Sequence, residues 1–146
     1  MYKRLLVAVL AILAVPVIAG EFVVRDAYIR GLPPGQTVTA AFMTLDNGLD
    51  SDCKLVGASS PLAGSAEVHA HSHHGGTMSM RPVPSLLIPS GELVRLAPGG
   101  YHLMLFGVQD GLKDGDEYSI RLLFEGCSEV EIKAPVRSVL SEGDSR

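Results

Sequence analysis

Past its first twenty residues the chain reads as short runs rich in Val, Leu, Ile, Thr and Phe. Gly, Pro, Asp and Ser break these runs at close intervals, and no segment keeps a helical apolar period for three turns. The runs EFVVRDAYIR, TVTAAFMTLDN, CKLVGAS, AEVHAH, TMSMRPV, LVRLA, YHLMLFGV, EYSIRLLFE and EVEIKAPV predict strands, with turn chemistry between them at GLPPG, DNGLDSD, PSGE, APGG and KDGDE. That pattern predicts an all-β sandwich or Greek-key barrel. Alternation is clearest in GGYHLMLFG, residues 99–107. As a strand it puts His102, Met104 and Phe106 on one face and Tyr101, Leu103 and Leu105 on the other.

The opening, MYKRLLVAVLAILAVPVIAGEF, has Lys3 and Arg4 before an uncharged apolar run and small residues at Val17 and Ala19. It reads as a signal peptide over residues 1–19. The apolar run is short for a spanning helix and contains Pro16, so an uncleaved anchor is the lesser alternative. No cysteine follows the expected cleavage region closely enough to indicate lipid attachment there. About 127 residues remain, enough for one domain, expected over 20–136, with the polar RSVLSEGDSR as a loose tail over 137–146.

Charge narrows the choice of partner. The whole chain has 12 basic and 16 acidic residues. Removing Lys3 and Arg4 leaves 10 against 16, a formal charge of −6, which argues against nucleic acid or an anionic membrane surface. No membrane insertion is expected after cleavage. Two cysteines remain, Cys53 and Cys127. In an exported chain a disulfide is the favoured reading, with two buried thiols or a pair of metal ligands as alternatives. A bridge would close a loop of about 75 residues, for which chain entropy gives roughly 4 kcal/mol.

The histidines and methionines are not scattered. Four of the five histidines, His69, His71, His73 and His74, lie in HAHSHHGG, and the fifth is His102; with Met78, Met80 and Met104 they are concentrated in two segments, HAHSHHGGTMSM and YHLM, while Met43 stands apart. Each has an ordinary explanation. A methionine in a strand is usually core filler, the reading for Met43, and a histidine run beside glycines is usually a solvated loop. The joint pattern shifts the balance, because a His-x-Met strand with a Met-x-Met strand and a nearby histidine gathers nitrogen and thioether donors. Thioether sulfur is soft and uncharged, so a mixed His and Met set points to Cu(I) rather than Zn(II), Ca(II) or Mg(II). A blue-copper site would need a thiolate with His and Met downstream, and Cys127 has neither after it.

The spacing His69, ten residues, Met80, twenty-one residues, His102, one residue, Met104 resembles the H-x10-M-x21-H-x-M signature of the periplasmic copper(I) chaperones called PCu(A)C. The stretches LVGASSP, AEVH, MRPV, IPSG, LAPGGYHLML and LKDGDEYSIRLLFE are similar to that family too, over roughly residues 21–136. The resemblance implies a cupredoxin-like barrel binding one Cu(I) through His69, Met80, His102 and Met104. It also implies delivery to the CuA centre of a terminal oxidase, alongside a Sco-type partner. The cysteine pair and His71, His73 and His74 depart from the signature. The cysteines are expected to staple the fold, and the extra histidines to form a solvated loop, with a weaker Cu(II) or Zn(II) site as the alternative.

Three rival readings stand beside the carrier. A periplasmic copper or zinc scavenger would share the site but lack a dedicated target. A copper enzyme would need acid–base residues beside the metal, and neither YHLM nor TMSM contains a carboxylate. A plain β-sandwich interaction domain would leave the donor clustering unexplained. The carrier reading, with no chemistry of its own, is preferred.

Overall fold

The alternation is realised as strands. A computed structural model describes residues 20–109 and 111–139; the signal peptide expected over 1–19 and most of the tail expected over 137–146 lie outside the described residues. The strands are β1 (Phe22–Arg30), β2 (Val38–Asn47), β3 (Cys53–Ser59), β4 (Ser65–His74), β5 (Thr77–Pro82), β6 (Leu86–Ile88), β7 (Leu93–Leu96), β8 (His102–Phe106), β9 (Glu117–Glu125) and β10 (Val130–Arg137). Among the described residues there is no helix. The nine expected runs correspond to nine of these strands. The short β6 lies outside the nine runs, three apolar residues between prolines just before the PSGE turn that separates it from β7.

The strands form one sheet in the order β5-β4-β8-β2-β1-β10-β9-β3-β6. Its pairs are antiparallel except β1 with β10, which run parallel. One further pair, Ala58 with Ala66, joins β3 to β4, so the sheet folds round on itself through a single residue pair rather than a full ladder. β9 shows the principle that directs it: Ile120 and Leu122 are fully buried, while Arg121 between them faces out to Glu131 on β10. Ile29, Leu45, Leu55, Ile88, Leu103, Leu105 and Val136 complete the centre of the core. Met43 is 2% exposed within it, as expected of a core methionine.

β2 positions the site. Its first half pairs with β8 (Val38 with Phe106, Ala41 with Leu103) and its second half with β7 (Met43 with Leu96, Asp46 with Leu93). β7 and β8 therefore follow one another along one edge of β2, joined by the APGG turn. In that turn the Gly100 N–H donates to the Ala97 carbonyl at 3.0 Å, and the Ala97 N–H donates to the Tyr101 carbonyl at 2.8 Å. Gly99 takes φ +86°, a conformation that glycine supplies without steric cost. The turn thus delivers His102 to the first position of β8.

Cys53 and Cys127 form a disulfide, with Cα atoms 5.6 Å apart. It lies beyond the last β3–β9 pair, Lys54 with Glu125, and clamps the end of that ladder. Gly126 beside it has φ +85°, and a Cβ there would meet the Asp52 carbonyl oxygen at 2.7 Å. None of the strands joined by this bridge carries a histidine or methionine.

Candidate metal centre

Three neighbouring strands, β5, β4 and β8, carry the donors, and their registers decide which side chains share a face. Across β4 and β8, His69 stands opposite His102 and Glu67 opposite Met104. Across β4 and β5, His71 stands opposite Met80 and His73 opposite Met78. Directly opposed residues of an antiparallel pair point the same way, so these donors lie on one face. On its other side Met104 is opposite Ala40 of β2, whose small side chain leaves room beside the thioether.

The β4–β5 register has a local cause. Gly75 and Gly76 have φ of +57° and +81°, the two left-handed positions of a tight hairpin turn, and strand pairing runs right up to them with His74 opposite Thr77. The solvated loop expected for His71, His73 and His74 is therefore corrected. All three lie in β4, because a two-residue glycine turn needs no further residues to reverse the chain.

His102 is the buried member of the set, 3% exposed. Its Nδ1 lies 3.0 Å from the Gly100 carbonyl oxygen, which can only accept, so Nδ1 carries the proton and donates. The lone pair is left on Nε2, which is buried and without a hydrogen-bond partner. Burial holds the His102 imidazole below its ordinary pKa; the Gly100 hydrogen bond opposes this, and His71, His69 and Arg30 lower it further. The ring is thus neutral, in the tautomer a metal ligand needs, with its orientation set by a backbone carbonyl.

The other imidazoles are arranged unequally. The His71 ring lies 5.0 Å from the His102 ring, with its Nδ1 3.4 Å from the same Gly100 oxygen. The His69 ring lies 6.0 Å from His102 and 5.8 Å from Phe106, and its Nε2 is 3.1 Å from Glu67 Oε2. An open cleft of about 580 Å³ is lined by His71, Met78, Met80, His102 and Met104, with Arg30 among the other lining residues and its guanidinium 4.9 Å over the Phe42 ring. His69 is not part of this lining. Among the described residues no three histidine, cysteine or carboxylate groups converge as a metal site, so any soft-metal site here must draw on thioether sulfur.

All four residues of the expected set therefore reach one face of three adjacent strands, with His69 beside the cleft rather than on its wall. Alternation reasoning missed His71 as a cleft residue, although the His69, His71, His73 spacing is itself a two-residue period. It also missed Glu67, a carboxylate on the same face as the donors. Two-residue alternation within AEVHAH already puts Glu67, His69 and His71 on one face, and Gly75-Gly76 read as a hairpin turn brings Met80 opposite His71.

Comparison with known proteins gives a consistent picture. Residues 22–136 match the family model described as "Putative lipoprotein LpqE-like". The chain is 35% identical over 104 residues to "Putative lipoprotein Lxx21020" of Leifsonia xyli, covering 70% of this chain and 63% of that relative. It spans between 49% and 63% of the length of the curated relatives it matches. Among solved structures, the Cu(I) form of DR1885 from Deinococcus radiodurans is 38% identical with a TM-score of 0.62, covering 76% of this chain and 74% of that one. The copper-bound PCuAC domain of PmoF2 shares the fold with a TM-score of 0.68 at 24% identity, covering 84% of this chain and 97% of that one.

Proposed function

The chain belongs to the LpqE-like family and has the cupredoxin-like all-β fold of PCuAC domains, and from that premise we propose that it is a non-enzymatic copper carrier. Its cargo is one Cu(I), held by His69, Met80, His102 and Met104. The observation that carries this reading is the Nε2 of His102, a buried and unpartnered lone pair on the face that also presents the thioethers of Met80 and Met104. A buried polar atom without a partner normally costs about 1–3 kcal/mol. A ligated metal would offset that cost.

The donor chemistry selects the ion. Two neutral imidazoles and two neutral thioethers bring no charge to stabilise a hard dication, whereas soft sulfur suits Cu(I). His102 is the anchor, fixed by Gly100. Met104 and Met80 supply sulfur from either side of β4. His69 completes the set by leaving its contact with Glu67. The cargo of a carrier must also be surrendered, and thiolate binds Cu(I) more strongly than neutral thioether does, so transfer is downhill toward a thiolate-bearing acceptor such as a CuA centre or a Sco-type protein.

We assign residues 1–19 to an export signal, residues 20–136 to the copper domain and the compartment to the periplasm. The test is X-ray absorption of the Cu(I) form, followed by transfer. The spectrum is expected to contain nitrogen and sulfur scatterers; a shell without sulfur removes Met80 and Met104. Mixing the Cu(I) protein with a reduced apo CuA or Sco-type domain, separating the two and measuring copper in each is expected to show net movement to the acceptor. Retention at equilibrium would favour a scavenger.

A further inference from the structure

The β4–β5 hairpin carries more donors than one copper requires. Its register makes two consecutive His–Met rungs on one face: His71 opposite Met80, and outside it His73 opposite Met78. Opposed residues have Cβ atoms about 4.5–5.5 Å apart. Successive rungs on a face are about 7 Å apart along the strand.

Exposure differs sharply across the three strands. Met78 is 62% and Met80 55% exposed on β5, whereas His102, on β8 at the far side of β4, is 3% exposed. Every residue of β5 is exposed, so Met78 is not core filler. His71 links the two ends: it faces Met80 across β4–β5, lines the cleft, and stands 5.0 Å ring to ring from His102. A donor on another protein would meet Met78 long before it reached His102.

We propose that His73 and Met78 form a second Cu(I) position at the tip of the hairpin, with His71 and Met80 behind it, through which copper passes between solvent or an acceptor and the buried site. An imidazole facing a thioether offers two neutral, soft-to-borderline donors, a set that suits Cu(I). Hard, oxygen-seeking ions find no carboxylate at this tip, since the carboxylate of this face, Glu67, lies at the other end of β4 on His69. The inference rests on the carrier reading and extends it from one position to two.

The experiment is an anaerobic competition titration of the intact protein with Cu(I) against a chromophoric Cu(I) chelator, with apo-protein melting followed in parallel. Wild type is expected to take up two equivalents, the second more weakly. His73→Ala combined with Met78→Leu is expected to weaken the second equivalent by about tenfold or more and leave the first unchanged. Met104→Leu is expected to weaken the first. Both side chains of the double variant are at the exposed tip, so the melting temperature should hold. The methyl resonance of Met78 should move with the second equivalent and not with the first. Uptake of one equivalent by wild type, or of two by the double variant at wild-type affinities, overturns the second position while the carrier reading stands. Uptake of none overturns both.

Discussion

His69 stands directly opposite His102 across the β4–β8 pair, the two rings 6.0 Å apart, yet only His102 lines the cleft. His71, one rung further along β4, brings its ring to 5.0 Å from His102 and does line it. The two histidines can therefore be separated by substitution. His69→Ala should weaken the tighter Cu(I) equivalent by about tenfold or more, a loss at least as large as that expected for a residue that only orients a ligand. His71→Ala should leave that equivalent in place and weaken the outer one. Competition titration of each variant reads this directly, and the reverse order would move the fourth ligand from His69 to His71.

Met→Leu exchange separates liganding from packing, since it nearly conserves volume and usually costs less than about 1.5 kcal/mol. Met80→Leu and Met104→Leu should lose Cu(I) affinity with little change in apo melting temperature. Met43→Leu, in the core, should leave Cu(I) affinity unchanged. Equal behaviour of all three toward copper would erase the distinction between ligand and core methionines.

Acidification should destabilise the apo protein through His102. Its folded pKa is depressed below 6.5, chiefly by burial, so below that value the unfolded chain takes up the proton first. The stability contributed by neutral His102 is fully present above pH 6.5 and is lost as pH falls from there through the folded-state value. Denaturant unfolding across that window should show stability decreasing toward acid, with a shallower decrease in His102→Gln. Proton competition should also weaken Cu(I) binding on acidification, while the thioethers, which do not titrate, keep part of the affinity.

Reduction of the Cys53–Cys127 bridge should lower stability by up to about 4 kcal/mol, the chain-entropy value for a loop of this length. Thiol labelling of the oxidised, denatured protein should find no free cysteine. Copper stoichiometry should survive reduction, because the strands the bridge clamps carry none of the donors. Loss of copper on reduction under otherwise folding conditions would show that the bridge supports the site.

The sequence alone determined what depends on neighbours along the chain. Alternation in YHLMLFG separates His102 and Met104 from Leu103 and Leu105, and the latter two are fully buried in the core. Glycine, proline and aspartate clusters mark the turns, and the His and Met spacing points to soft-metal chemistry, because strand period and turn conformation are local properties of the backbone. Tertiary structure decided which strands lie side by side, and with that which donors meet. β8 lies between β4 and β2, although β7 precedes it in the chain, and this order alone puts His69 across from His102. β6 finds its partner because β3 offers Leu86–Ile88 an edge to pair with, a choice the three residues do not carry themselves. Burial of His102 and the approach of the His71 ring to it arise from packing between segments distant in sequence, whereas the Gly100 carbonyl that sets its tautomer and the hold of Glu67 on His69 come from residues two positions away, whose contact depends on how the chain bends there. Desolvation and hydrogen-bond geometry depend on what surrounds an atom in space, which a one-dimensional pattern does not contain.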